Sequence, residues 1–130
     1  MNSLPKVTII DDDVDLVDAV SNFLGRHSFD VSTASGGIEG LKVVEENRPD
    51  LVILDMMMPD MDGIQVLLKI RGNSQIKDIP VIMLTAKDGQ PDRVSALEMG
   101  AYEYIAKPLD THKLLRQIEN VLRKKREGDL

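Results

Sequence analysis

The sequence contains no cysteine and no tryptophan, and only four aromatic side chains: Phe23, Phe29, Tyr102 and Tyr104. Without cysteine the chain forms no disulfide, no thiolate metal site and no cysteine nucleophile, which excludes a disulfide-stabilised extracellular scaffold. The core must then be built from Val, Ile, Leu, Met and Ala. A reducing compartment is allowed, so we expect a cytoplasmic location.

Long apolar runs are also missing. No uncharged apolar segment approaches the roughly 18 residues that a membrane helix needs. The amino-terminal MNSLPK lacks a basic region followed by an apolar one, as a signal peptide would have. We therefore expect neither a membrane contact nor a targeting segment.

Positive charge is scarce. Sixteen Lys and Arg face 22 Asp and Glu, a net charge of −6, which disfavours direct binding to nucleic acid. The imbalance is local: residues 1–110 hold 10 basic and 19 acidic groups, whereas residues 111–130 hold 6 basic and 3 acidic groups. The last predicted helix thus differs chemically from the rest of the chain.

The length of 130 residues suits one domain, and no Pro, Gly or Ser-rich linker interrupts it. We assign residues 1–124 to the domain and 125–130 to a tail or the start of a linker. Five short aliphatic runs predict strands at 7–10, 30–34, 51–54, 80–84 and 102–106, each followed by apolar residues at helical spacing. This alternation of strands and helices predicts a (βα)5 chain folded as a three-layer, doubly wound sandwich around a parallel sheet.

Polar side chains follow four of the predicted strands. Asp11 and Asp12 follow the first, Asp55 the third, Thr85 ends the fourth and Lys107 follows the fifth. In a parallel sheet these residues converge at the carboxyl edge, where such folds bind ligands. Clustered carboxylates without His or Cys suit a hard cation such as Mg²⁺. A carboxylate beside a cation, an ammonium and a hydroxyl is equipped to attack phosphorus, so Asp55 is the candidate nucleophile.

Four motifs resemble those of the receiver domains of two-component response regulators. They are the Asp11–Asp12 pair, LDMMMPDMDG at 54–63, LTA at 84–86 and KP at 107–108, all in order and at matching spacing. The resemblance runs from about Val7 to Leu122. It implies a flavodoxin-like five-stranded parallel sheet in the order 2-1-3-4-5.

The resemblance also implies roles for single residues. Asp55 corresponds to the phosphoacceptor, and Mg²⁺, for which Mn²⁺ can substitute, is held by Asp12, by Asp11 through water, by Asp55 and by the Met57 backbone carbonyl. Three further groups are implied to contact the phosphoryl group: the hydroxyl of Thr85, the backbone amide of Ala86 and the ammonium of Lys107. Thr85 and Tyr104 correspond to the switch residues, and the peptide bond before Pro108 is implied to be cis.

The implied function is that of a phosphorylated switch and not of a turnover enzyme. A histidine kinase or histidine phosphotransfer protein is the expected donor. Thr85 then moves toward the phosphate and Tyr104 rotates, which changes the surface of the fourth helix, fifth strand and fifth helix. A downstream protein or an output domain absent from this sequence would read that surface, with the chain as a monomer or as a phosphorylation-dependent dimer.

Two positions depart from the family's usual pattern. Met57 and Lys87 stand where side chains tune hydrolysis of the acyl phosphate, and Met cannot hold an attacking water. Tyr104 is open to a second interpretation as a core residue, since its alternation with Tyr102 places both on one strand face.

Two other functions stay open at this point. A Mg²⁺-dependent phosphatase with an aspartyl nucleophile would use the same groups, although Met57 stands where such enzymes commonly have a second acid. A receiver-like interaction module that is never phosphorylated is the other alternative.

Overall fold

The computed structural model describes residues 3–86, 94 and 96–129, in which strands and helices alternate along the chain. The strands are β1 (Lys6–Ile10), β2 (Asp30–Ala34), β3 (Leu51–Asp55), β4 (Val81–Thr85) and β5 (Glu103–Ala106). The helices are α1 (Val14–Arg26), α2 (Gly37–Asn47), α3 (Gly63–Arg71) and a C-terminal helix (Thr111–Arg126). Between β4 and β5, residues 94 and 96–98 are also helical, in the interval where the sequence predicts the fourth helix.

The sheet has five strands within the described residues, all paired in parallel, in the order β2-β1-β3-β4-β5. This is the predicted order, so the fold class is confirmed. The order reverses between β1 and β3, and a crevice at such a switch point is where open α/β sheets bind their ligands.

The two faces of the sheet are covered by different helices, which makes three layers. Every residue of β3 and β4 is buried. Leu51 and Ile53 pack in one apolar cluster with α1 and the C-terminal helix, whereas Val52 and Leu54 pack in the other with α2 and α3. Successive side chains of a strand point to opposite faces, so a central strand covered on both faces must be apolar throughout.

Aspartates are the N-cap residues of α1, α3 and the C-terminal helix. Asp62 and Asp110 accept backbone hydrogen bonds at the starts of α3 and the C-terminal helix. Asp13 caps α1 in the same way, accepting from the Leu16 N–H. The first turns of these helices are thereby fixed at the carboxyl edge of the sheet.

The start of α2 is capped from a different segment. Its N-cap residue is Gly36, which has no side chain to accept a hydrogen bond. The carboxylate of Asp60 accepts instead from the backbone N–H groups of Gly37 and Ile38, each at 3.0 Å. These two bonds, that to Ile38 first, hold the pKa of Asp60 below its usual value. The loop between β3 and α3 is therefore tied to α2.

The C-terminal helix extends to Arg126, two residues past the domain limit that the sequence suggests. Its last turn carries the basic run 123–126, and positive charge at this position interacts favourably with the negative end of the helix dipole. Across the described parts of the chain, no helix combines the length and apolar character that crossing a membrane takes.

Arg71, the last residue of α3, holds two neighbouring loops together. Its guanidinium donates to the carbonyl oxygens of Lys77 at 2.9 Å, Ile79 at 2.7 Å and Gly100 at 2.7 Å. Gly100 has φ +108°, and a β-carbon there would lie 2.9 Å from Arg71 Nε. Glycine at this turn thus provides both the left-handed backbone and the space for the guanidinium.

We expect Arg71→Ala to lower the free energy of unfolding by about 2 kcal/mol, because three carbonyls lose a charged donor. Arg71→Lys should recover little of it, since a single ammonium cannot reproduce the planar fork. Urea unfolding measures both, with the exposed Lys69→Ala on the same helix as control. A Lys variant of wild-type stability would contradict this account.

Candidate functional site

The strand register places the polar residues at one edge of the sheet. Ile10 of β1 pairs with Leu54 of β3, so Asp11 and Asp55, which come next, are neighbours. On the other side, the Lys107 backbone N–H donates to the Thr85 carbonyl at 2.7 Å. The structure therefore brings together the ends of β1, β3, β4 and β5, where the sequence analysis placed the site.

Three carboxylates form an acidic cluster. Asp11, Asp12 and Asp55 each offer one oxygen, and these oxygens lie within 4.8 Å of one another. Asp11 and Asp55 are buried, whereas Asp12 is exposed. The Asp11 Oδ1 atom accepts from the Asp13 backbone N–H at 2.9 Å, and its buried Oδ2 has no hydrogen-bond partner among the described residues. An all-oxygen set with an unsatisfied buried oxygen fits a hard cation such as Mg²⁺.

Lys107 supplies the positive charge of the site. Its Nζ lies 3.0 Å from Asp11 Oδ2 and 3.3 Å from Asp55 Oδ1. Asp11 Oδ2 is thus held by the charge of Lys107, with no hydrogen-bond partner among the described residues. The peptide bond between Lys107 and Pro108 is cis.

Lys107 only partly offsets the effects of burial and of Asp11 on the pKa of Asp55. Burial, and then the charge of Asp11, raise the pKa of Asp55 to about 6, against the opposing effects of Lys107 and the Met57 backbone N–H. Burial lowers the pKa of Lys107, but Asp11 and Asp55 outweigh it and the net pKa is raised. A second cation at the carboxylates would relieve the remaining repulsion.

The other predicted site residues lie around this cluster. Thr85 is buried at the end of β4, and Ala86 follows it, exposed. Met57, two residues after Asp55, exposes its side chain at the same edge. Tyr104 is half-buried on β5 and packs on the apolar cluster that includes Met83. Lys87 lies outside the described residues.

The expectation that Tyr102 and Tyr104 share a strand face is wrong. Tyr104 packs on the cluster with α2 and α3, whereas Tyr102 packs on the cluster with α1 and the C-terminal helix, below the ammonium of Lys124. The reason is that β5 begins at Glu103, so Tyr102 precedes the strand and does not follow its alternation.

Gly63 positions the site, a role that the sequence analysis did not assign. A β-carbon at Gly63 would lie 2.4 Å from the carbonyl oxygen of Asp55 and 2.9 Å from the Cα of Met56. The Gly63 N–H donates to the Met56 carbonyl at 2.8 Å. Glycine directly after the Asp62 cap was the available signal, because it allows a helix start to approach the backbone of a strand end.

Comparison with known proteins agrees with this geometry. The family model described as "Response regulator receiver domain" matches residues 7–119. The chain belongs to the response regulator receiver family. The sequence resemblance is thereby confirmed, and the chain is a signalling domain of a two-component system.

The curated relatives of this receiver domain include transcriptional regulators. It is 39% identical over 119 residues to the alkaline phosphatase synthesis transcriptional regulatory protein PhoP of Bacillus subtilis, a match covering 92% of this chain and 49% of PhoP. It is 39% identical over 121 residues to the CpxR homolog of Haemophilus influenzae, covering 93% of this chain and 52% of that protein. The chain spans about half the length of these relatives.

Solved structures of receiver domains match over nearly the whole chain. A CheY-like receiver domain protein from Methanospirillum hungatei superposes with a TM-score of 0.90 at 29% identity, covering 97% of this chain and 99% of the other. One from Clostridium thermocellum gives a TM-score of 0.87 at 32% identity, covering 95% and 98%. The acidic cluster thus lies in a fold shared with known receivers.

Proposed function

We propose that this receiver domain accepts a phosphoryl group onto Asp55 from the phosphohistidine of a histidine kinase or a histidine phosphotransfer protein. An oxygen of the Asp55 carboxylate attacks phosphorus in line, the P–N bond to the imidazole breaks and the imidazole leaves with the electron pair. The observation that supports this most is the position of the buried Asp55, 3.3 Å from the Lys107 ammonium and within 4.8 Å of two further carboxylates.

The surrounding groups would neutralise the charge that develops on the transferred group. Asp12, Asp55 and the Met57 backbone carbonyl would hold Mg²⁺ or Mn²⁺, with Asp11 acting through water, and the bound ion supplies neutralisation of phosphoryl oxygens. The Thr85 hydroxyl, the Ala86 amide and the Lys107 ammonium would donate to those oxygens. The unsatisfied Asp11 Oδ2 supports a metal at this place.

Phosphorylation adds roughly −1.5 to −2 charge and three acceptor oxygens. We propose that Thr85 moves toward them and that Tyr104, half-buried on the neighbouring strand β5, rotates into the space left. This would change a face formed by β5, the C-terminal helix and the predicted fourth helix. A downstream protein or an output domain would read it in the cytoplasm, through a monomer or a phosphorylation-dependent dimer. The relatives' names as transcriptional regulators support such an output.

Intact mass tests the proposal directly. The purified domain is incubated with acetyl phosphate, with and without Mg²⁺, alongside Asp55→Asn and a control, Asp30→Asn, whose exposed carboxylate is at the opposite edge of the sheet. We expect one phosphoryl adduct that requires Mg²⁺, is absent from Asp55→Asn and persists in Asp30→Asn. No adduct would favour the interaction module, and steady hydrolysis of a small phosphate ester would favour the phosphatase.

Met57 is proposed to slow loss of the phosphoryl group, because its thioether cannot hold the attacking water. Met57→Asn would add a hydrogen bond worth about 1 kcal/mol to that water, so we expect the adduct to decay about five- to tenfold faster. Mass measured over time after removal of acetyl phosphate gives the rate. Met57→Leu, which is apolar and of similar size, should decay like the wild type, and equal rates for Asn and Leu would contradict the role. The tuning role proposed for Lys87 rests on the family pattern alone.

A further inference from the structure

The methionines of this domain differ sharply in exposure, although four of them follow within a few residues of one another. Met57 is 68% exposed, whereas Met56 is 4% exposed, Met58 8% and Met83 0%. Met61 is half-buried, and Met99, remote in sequence, is 39% exposed. Among the described methionines Met57 is therefore the most exposed to solvent and to a dissolved oxidant.

The most exposed methionine lies next to the proposed phosphoacceptor. Met57 is two residues after Asp55, its backbone N–H is among the groups that lower the pKa of that carboxyl, and its side chain is exposed at the carboxyl edge of the sheet. The chain has no cysteine, so thioethers are the only sulfur that an oxidant can attack.

We propose that Met57 is a site of reversible oxidation, and that its sulfoxide shortens the lifetime of phosphorylated Asp55. The second half rests on the proposed function, because it concerns the same aspartyl phosphate. The oxidant is a peroxide such as hydrogen peroxide. A methionine sulfoxide reductase would reverse the change with a dithiol as the two-electron reductant, which becomes a disulfide while the sulfoxide oxygen leaves as water.

The oxidation is a two-electron oxygen transfer. The Met57 sulfur lone pair attacks one oxygen of hydrogen peroxide, the O–O bond breaks and a sulfur–oxygen bond forms. The departing hydroxide takes the remaining peroxide proton and leaves as water. Sulfur is oxidised by two electrons and the peroxide is reduced by two, so no further reactant is required.

The consequence follows from the change in polarity. A thioether is a weak hydrogen-bond acceptor, whereas a sulfoxide oxygen is a strong one. Oxidation thus places an acceptor at position 57, where Met57→Asn would place one. We expect the aspartyl phosphate to decay about five- to tenfold faster, as for Met57→Asn.

Selectivity is measured first and does not depend on phosphorylation. The whole domain is treated with increasing hydrogen peroxide, quenched and digested, and the sulfoxide at each methionine is quantified by mass spectrometry. We expect Met57 to be oxidised at doses that leave Met56, Met58 and Met83 reduced, with Met99 intermediate. Oxidation of Met56 or Met58 in parallel with Met57 would overturn the site.

The lifetime is measured next on protein oxidised at the selective dose. Wild type should lose its phosphoryl group five- to tenfold faster than before oxidation and recover after sulfoxide reductase treatment. Met57→Leu should be insensitive to peroxide, whereas Met99→Leu, the matched control, should respond like the wild type. Met57→Gln, which carries a permanent acceptor oxygen, should decay fast without oxidation.

The outcomes separate the two proposals. An adduct that forms normally but whose lifetime is unchanged or longer after oxidation of Met57 overturns this inference and leaves the proposed function intact. A faster decay that persists in Met57→Leu assigns the effect to another residue and also overturns it. If the reduced wild type forms no adduct, the proposed function fails and the lifetime effect fails with it, while the oxidation map still decides whether Met57 is the selective site.

Discussion

Replacing Lys107 with methionine is expected to destabilise the metal-free domain by about 3 kcal/mol near pH 8. The side chain of Asp11 is fully buried, and its Oδ2 has Lys107 Nζ at 3.0 Å but no hydrogen bond among the described residues. Methionine fills a similar volume but carries no charge, so two buried carboxylates would lose their nearest cation. The cost of removing one partner of such a cluster is the uncompensated charge that remains.

Two further expected results would show that the loss of stability in Lys107→Met is electrostatic. Saturating Mg²⁺ should restore most of the lost stability, because a ligand at about 100 times its dissociation constant adds about 2.7 kcal/mol. Lowering the pH toward about 5 should also reduce the loss, since Asp55, whose pKa is raised to about 6, then becomes protonated and needs no cation. The control is Lys69→Met, at an exposed position of α3, which should change the free energy of unfolding by less than about 0.5 kcal/mol. Equal effects of the two variants would contradict the account.

Asp55→Asn, in contrast, is expected to stabilise the metal-free domain by about 2 to 3 kcal/mol near pH 8. In the folded domain the pKa of Asp55 is raised from 3.8 to about 6, first by burial and second by Asp11. The folded state therefore holds this proton more tightly than the unfolded chain. As pH rises from about 4 to 6, Asp55 ionises in a site that disfavours its charge, and wild-type stability falls. Asparagine has no proton to lose and avoids this fall.

Urea unfolding across that pH range measures the effect. The difference between Asp55→Asn and wild type should be small near pH 4, grow toward pH 6 and stay constant above it. Mg²⁺ should stabilise the wild type more than the variant, because the variant lacks one of three carboxylates. Asp30→Asn, at an exposed site, should show no such pH dependence. A stabilisation of Asp55→Asn that is equal at pH 4 and pH 8 would contradict the electrostatic explanation.

The fold was largely predictable because its signals are local. Each predicted strand is present within about one residue, since strands buried on both faces, such as β3 and β4, are continuous apolar runs between polar ends. The position of Tyr102 was not predictable from alternation, because its face depends on where β5 begins.

The residues of the site were predictable as a set, but their energetics were not. Parallel strands imply that Asp11, Asp55, Thr85 and Lys107 meet at one edge, which requires only the order of elements. Converging carboxylates imply a raised pKa in the cluster, but that it falls on Asp55, with burial as its first cause, depends on side-chain burial that no spacing encodes, as does the unsatisfied Asp11 Oδ2. The tertiary contacts of Asp60 and Arg71 join segments distant in sequence, so they carry no local signal either.

The loop after β3 is braced at three points. The Met56 carbonyl accepts from Gly63, Asp62 caps α3, and Asp60 accepts from the start of α2. Transfer of this loop, with its proposed phosphoacceptor Asp55, into another parallel α/β scaffold would need more than the eight residues from 56 to 63. The recipient would also need a neighbouring helix whose glycine-rich start has no side-chain cap of its own. Without such a helix the Asp60 carboxylate has no backbone N–H groups from which to accept hydrogen bonds, and the loop loses one of its three supports.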